Sequence, residues 1–203
     1  MTKESIPNKL LNLVTEDEIM IFRELQIKIQ ELNYKTNLTR LIKGDDYWIS
    51  QVYDSLWPFK ENANKNFDKK KFIDIGSGCG FPGFAYAITH PNSEIYLVDS
   101  YKKKTDSLKE IIKSINFKND IFVINDRIEN IGRQSSFKNA FNLATARAVS
   151  NPSTVSEYIL PMLKSNGEGI LYCGKWTYED IIFKINTFDN FLKCICFFFR
   201  RIN

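Results

Sequence analysis

Residues 72–83 read FIDIGSGCGFPG. Phe72 to Ile75 form a short, mostly apolar run, and the glycines Gly76, Gly78, Gly80 and Gly83 follow at once. Glycine lets a backbone turn with positive φ and lets a ligand approach where a Cβ would otherwise stand. Gly78, Gly80 and Gly83 also fit the pattern GxGxxG, which gains weight only when it joins a strand to a helix. It does so here, because Pro82 suits a first helical turn and Phe84 to Ile88 continue as an apolar helical stretch. Roughly 20 residues further on, the run Ile95 to Val98 ends in Asp99, where an acid can take the ribose hydroxyls of a nucleotide-like cofactor.

Outward from this stretch the chain alternates strand and helix. Strands are predicted at 72–75, 95–98, 121–124, 141–145 and 169–173. Helical faces lie between them, such as Leu108, Ile111, Ile112 and Ile115, and Val155, Tyr158, Ile159 and Met162. Such alternation implies an α/β fold, with a parallel sheet covered on both faces. Ligands of open α/β sheets bind beyond the carboxyl ends of the strands, near the switch point. Upstream, Thr15 and Glu18 have the spacing of a capping box. Ile19, Phe22, Leu25, Ile29 and Leu32 then make one apolar helix face that ends near Asn37-Leu38-Thr39. A second helix is predicted from Asp45 to Leu56, stopped by Pro58. The polar stretch from Lys60 to Lys71 reads as a connector, dividing a helical cap (residues 1–66) from a sheet domain (residues 67–203) within one compact unit.

Composition bounds the partners. The 203 residues are 43% hydrophobic, enough for a packed core. No apolar run reaches the roughly 18 residues of a membrane helix, and MTKESIPNKL is not laid out as a secretory signal. Four cysteines at irregular spacing suit a reducing cytoplasm. The net charge of +4 permits a nucleic-acid partner, with lysines clustered at 69–71 and 102–104. Such clusters are also commonly plain solvated surface.

The glycine loop leaves two cofactors. A nicotinamide dinucleotide would seat its pyrophosphate there; S-adenosylmethionine would seat its amino-acid end, and Asp99 fits either. A phosphate-binding Walker loop is excluded, because no Gly-Lys-Ser/Thr follows. Three features favour the methyl donor. Asp74 within the strand suits a methyltransferase loop. The chain is short for a dehydrogenase with a second domain. Leu160 to Gly167 read as the helix end that precedes the fifth strand of methyltransferase sheets.

Taken together, DIGSGCGFPG (74–83), VDSYKKK (98–104), Arg127-Ile128-Glu129 and Ala146-Arg147-Ala148 resemble the ribosomal RNA small-subunit methyltransferase G family, also called glucose-inhibited division protein B. Asn37-Leu38-Thr39 and Asp54-Ser55-Leu56 match its helical cap, and the resemblance covers roughly residues 15 to 175. It implies a class I S-adenosylmethionine-dependent methyltransferase fold with an N-terminal helical cap. The implied reaction is methylation of ring nitrogen 7 of one guanine in small-subunit ribosomal RNA, free or in the assembling subunit. The implied donor contacts are Gly76, Phe81, Ile128, Glu129 and Arg147, with Asp99 as the acidic strand end; the glycine pattern adds Gly78. Lys102, Lys103, Lys104 and Lys175 are the candidate RNA contacts. Two positions depart from the family: Gln51 stands where it usually has histidine, and Cys173-Gly174 where it has Lys-Gly. A methyltransferase for a small molecule and a nicotinamide-binding oxidoreductase are the rival readings. The protein is expected to be cytoplasmic, monomeric and free of metal.

Nitrogen 7 of guanine carries a lone pair and no proton. It can attack a sulfonium methyl without a general base, so catalysis is mainly a matter of geometry and no acid–base dyad is expected. His90, before Pro91, reads as structural, and Cys79 and Cys173 as inert thiols. Towards the end of the sequence one helix is predicted near 177–185 and one strand near 191–199. Methyltransferase sheets of this class usually add a further antiparallel strand. The expected sheet is therefore one strand short, with a weakened apolar edge unless the sixth strand moves in beside the fifth.

Overall fold

The computed structural model describes residues 6–61, 70–147, 152–173 and 194–198. Among these, six strands form one sheet in the order β3-β2-β1-β4-β5-β6. They are β1 (Lys71–Ile75), β2 (Glu94–Asp99), β3 (Asp120–Asn125), β4 (Phe141–Arg147), β5 (Leu163–Cys173) and β6 (Cys194–Phe198), and every pairing is parallel. From β1 the chain winds outward through β2 to β3, then returns to β4 on the other side. The switch point thus lies between β1 and β4, where Ile75 stands opposite Ala146. β6 lies directly against β5, with Ile170 opposite Ile195, so β5 has a strand on both sides. The predicted helix near 177–185, the contact Lys175 and the cap boundary at 66/67 fall outside the described residues.

The central strands are apolar runs because both their faces are covered. Phe72, Ile73, Ile95, Leu97, Leu143 and Ile170 are all fully buried. Helices α5 (Gly83–Thr89) and α6 (Lys102–Ser114) cover one face, and Val155, Ile159 and Met162 pack with Ile73 and Ile75 on the other. β5 starts six residues earlier than its apolar run, and its pairing with β4 shifts register between Phe141 and Leu143. Lys164 and Glu168 hid that first half, because a strand beside a bulge need not alternate cleanly.

The cap comprises α1 (Asn8–Leu11), α2 (Glu16–Thr36), α3 (Gly44–Tyr47), a π-helical turn (Trp48–Tyr53) and α4 (Asp54–Glu61). The Thr15/Glu18 capping box is present: the Glu18 N–H donates to Thr15 Oγ1 at 3.2 Å and the Thr15 N–H to Glu18 Oε2 at 2.7 Å. The five predicted apolar residues of α2 are all buried, and the helix ends at Asn37 in the left-handed region (φ 47°). Pro58, however, does not stop the second helix. The helical path runs on through it to Glu61. Burial of Phe59 against Phe72 and Tyr86 beyond the proline offsets the roughly 3 kcal/mol that a helix-interior proline costs. Cap and sheet share one continuous apolar core, in which Trp48, Val52 and Leu56 join Phe72, Phe84 and Leu143.

Candidate active site

A cavity of about 370 Å³ opens at the carboxyl ends of β1, β2 and β3. Ile75 and Gly76 line it from β1, Val98 to Tyr101 from β2, and Asp126 to Glu129 from the loop after β3; Thr154, Val155 and Tyr158 of α8 (Pro152–Ile159) close one side. The volume is within the usual range for small-molecule sites. Gly76 adopts φ 68° at the cavity wall, which a side chain would resist.

Asp99 is the organising residue. Its Oδ2 accepts from the Gly78 N–H and its Oδ1 from the Tyr101 N–H, each at 2.9 Å. The Asn125 side chain holds its carbonyl at 3.0 Å. Each carboxylate oxygen has two lone pairs, so both keep one for a ligand hydroxyl. Gly78 thus acts behind the cavity wall, by fixing the carboxylate. Beneath it Asp74 is fully buried, accepting from the Thr145 hydroxyl at 2.7 Å and the Gly83 N–H at 3.2 Å. This acid ties β1, β4 and the start of α5 together. Ile128 and Glu129 lie in the cavity wall at the start of α7 (Ile128–Ile131). The backbone N–H of Glu129, with Arg127 at 3.4 Å, holds its carboxyl below the usual range.

Besides Gly78, two more of the expected donor contacts are outside the cavity lining. Phe81 is buried against Tyr47 of the cap, edge to face at 6.0 Å. Arg147 ends β4 but turns to the cap, donating to Gln51 Oε1 and to Ser55 Oγ, the latter at 3.3 Å. Gln51 in turn donates to Cys79 Sγ at 2.8 Å, joining cap, glycine loop and β4. Burial pushes the Cys79 thiol up, in keeping with an inert cysteine. His90 stacks on Tyr86 at 4.3 Å and serves packing. Of the lysines, Lys104 lines the cavity mouth with its Nζ 5.2 Å from the Tyr101 ring centre. Lys102 pairs with Asp106 at 2.9 Å, and Lys103 is exposed. Sequence reasoning missed Tyr101 and Tyr158 as wall residues; the spacing of Tyr158 marks only an apolar helix face.

The family model for rRNA small subunit methyltransferase G, GidB, matches residues 18–189. The chain belongs to that family. A protein of Prochlorococcus marinus subsp. pastoris named ribosomal RNA small subunit methyltransferase G is 91% identical over 180 residues, covering 89% of this chain and 75% of that one. One of the same name from Prochlorococcus marinus strain NATL1A is 45% identical over 170 residues, covering 84% and 68%. A crystal structure of MtNAS in complex with MTA and tNA superposes with a TM-score of 0.52 at 14% identity, over 86% of this chain and 67% of that one. A mutant of MtNAS in complex with S-adenosylmethionine gives 0.51 at 16%, over 86% and 69%. These two show the fold, the parallel α/β sheet of class I methyltransferases.

Within this family member, burial pushes the Asp74 carboxyl up to about 6, against the opposing pull of Thr145, Ser77, Arg147 and Gly83. A folded pKa above the unfolded one means that the native state holds the extra proton between about pH 4 and 6. The stability so gained is complete at the acid end and lost as pH rises through about 6. Relative to Asp74→Asn, which does not titrate, the wild type is expected to lose on the order of 2–3 kcal/mol between pH 4 and 7. Urea unfolding at several pH values reads this directly, and a pH-independent difference would refute it.

Proposed function

We propose that the chain transfers a methyl group from S-adenosylmethionine to ring nitrogen 7 of a guanine in small-subunit ribosomal RNA. The observation that carries the donor half is Asp99, which lines the cavity beside Gly76 and whose carboxylate is held by two backbone N–H groups. The donor's ribose hydroxyls fit Asp99, its amino-acid end fits the Gly76 turn, and Ile128, Tyr101 and Tyr158 offer apolar walls for its base. When bound, S-adenosylmethionine supplies an electrophilic methyl on a sulfonium sulfur. The protein's task is then to hold donor and guanine in line and to exclude water, since nitrogen 7 needs no proton removed. Arg147, at the β4 end beside Gly76, is assigned to the acceptor side of the site. The protein is taken to act in the cytoplasm as a monomer, with the cap at residues 1–66 serving the RNA side. Calorimetric titration with S-adenosylhomocysteine and, separately, NADH tests the donor class: binding of the first alone is expected, and binding of NADH alone would favour the oxidoreductase.

Lys102 and Lys103 are the cleaner probes of RNA contact, because Lys104 belongs to the cavity wall. Replacing both by alanine is expected to weaken RNA binding and to reduce the slope of log K against log salt by about 1–2, with donor affinity unchanged. An unchanged slope would make the pair ordinary solvated surface.

A further inference from the structure

The cap carries an acid that the donor site does not use. Asp54 begins α4, directly after the π-helical turn, a conformation found mostly as short insertions within α-helices and often near functional sites. It is half-buried, and among the described residues its carboxylate has no hydrogen bond or ion pair. Two cations lie near it, yet both are engaged otherwise. Arg147 donates to Gln51 and Ser55, and the Lys9 ammonium sits 4.3 Å from the Tyr53 ring centre. Burial outweighs both cations and pushes the Asp54 carboxyl up to about 6. A carboxylate partly withdrawn from water without donors carries a cost, and an incoming ligand with N–H groups relieves it.

Its place in the fold points the same way. Ser55, the next residue, holds Arg147, and Arg147 follows Ala146, which stands opposite Ile75. The residue after Ile75 is Gly76, at the cavity wall. The Ser55 carbonyl also accepts from the Tyr172 hydroxyl of β5 at 2.8 Å, so Asp54 stands on the cap beside the β4 and β5 ends, on the side that the proposed function gives to the acceptor. Of the four RNA bases, guanine presents two parallel donors, N1–H and the exocyclic amine, on the edge away from nitrogen 7. A carboxylate takes both at once. Adenine offers one donor beside a lone pair, which a carboxylate repels.

We propose that Asp54 is the specificity-determining residue for the acceptor base, accepting the N1–H and exocyclic amine of guanine while nitrogen 7 faces the donor cavity. This rests on the guanine-nitrogen-7 reading above. The test uses small subunits carrying either guanosine or inosine at the modified position; inosine keeps nitrogen 7 and lacks the amine. Wild type is expected to favour guanosine about 10- to 100-fold in kcat/KM, the discrimination of a bidentate contact. Asp54→Ala and Asp54→Asn are expected to keep their melting temperature and S-adenosylhomocysteine affinity. Both should lose kcat/KM on guanosine, with alanine indifferent between the two bases and asparagine between alanine and wild type. Variants that discriminate as wild type does would overturn the proposal, as would a parallel loss of S-adenosylhomocysteine binding, which marks a structural role. Wild type that transfers no methyl to guanine would instead overturn the reading of the reaction itself.

Discussion

Asp99→Ala is expected to lower affinity for S-adenosylmethionine more than a hundredfold. Two ribose hydroxyls of the donor are assigned to this carboxylate, and hydrogen bonds to a charged group contribute about 1.5–3 kcal/mol each. Even the lower figure, taken twice, is about 3 kcal/mol. The substitution also frees the N–H groups of Gly78 and Tyr101, which Asp99 holds at 2.9 Å, so the glycine loop loses its anchor. Asp99→Asn retains one acceptor oxygen but turns an amide N–H₂ towards one of those donors. An intermediate loss is expected. Calorimetry with S-adenosylhomocysteine measures both variants, and an affinity for Asp99→Ala within about threefold of wild type would remove Asp99 from the donor site.

Gly80→Ala is expected to destabilise the fold by about 2–5 kcal/mol, from about 1–2 for a left-handed backbone and about 1–3 for overpacking. Gly80 has φ 96°, and an added Cβ would stand 2.1 Å from the Phe84 ring. That ring is fully buried and stacks on Phe117 at 5.2 Å, so it has no free space to yield into. Gly44 supplies the control. It has φ 50° with nothing within 4 Å of an added methyl, so Gly44→Ala carries only the backbone cost of about 1–2 kcal/mol. Urea midpoints of the two variants should therefore differ clearly, with Gly80→Ala the lower. Equal midpoints would mean that the loop relaxes around Gly80.

The parts of this structure that were legible in the sequence are those fixed by local chemistry. Apolar runs announced β1, β2 and β4 because a central parallel strand is buried on both faces; β3 also shows an apolar run, although it is an edge strand with Phe122 exposed. The Thr15/Glu18 spacing announced a capping box that forms as expected. The place of Asp99 at the cavity wall could be read because it depends only on position at a strand end. What the sequence hid is set by contacts across long separations. Arg147 and Gln51 are 96 residues apart, and only the folded cap shows that the arginine turns towards it rather than towards the cavity. Phe81 is likewise claimed by Tyr47. Pro58 misled for the same reason: local propensity ends a helix there, and tertiary burial of Phe59 carries it on.

The most direct measurement is incubation of the purified chain with methyl-labelled S-adenosylmethionine and small ribosomal subunits from cells lacking the protein, followed by nuclease digestion and mass spectrometry of the nucleosides. Label is expected in 7-methylguanosine, from a single position of the small-subunit RNA, and is expected to be lost with Asp99→Ala. Label on another atom or another base, or transfer that Asp99→Ala leaves intact, would contradict methyl transfer to guanine nitrogen 7 from a donor held by Asp99.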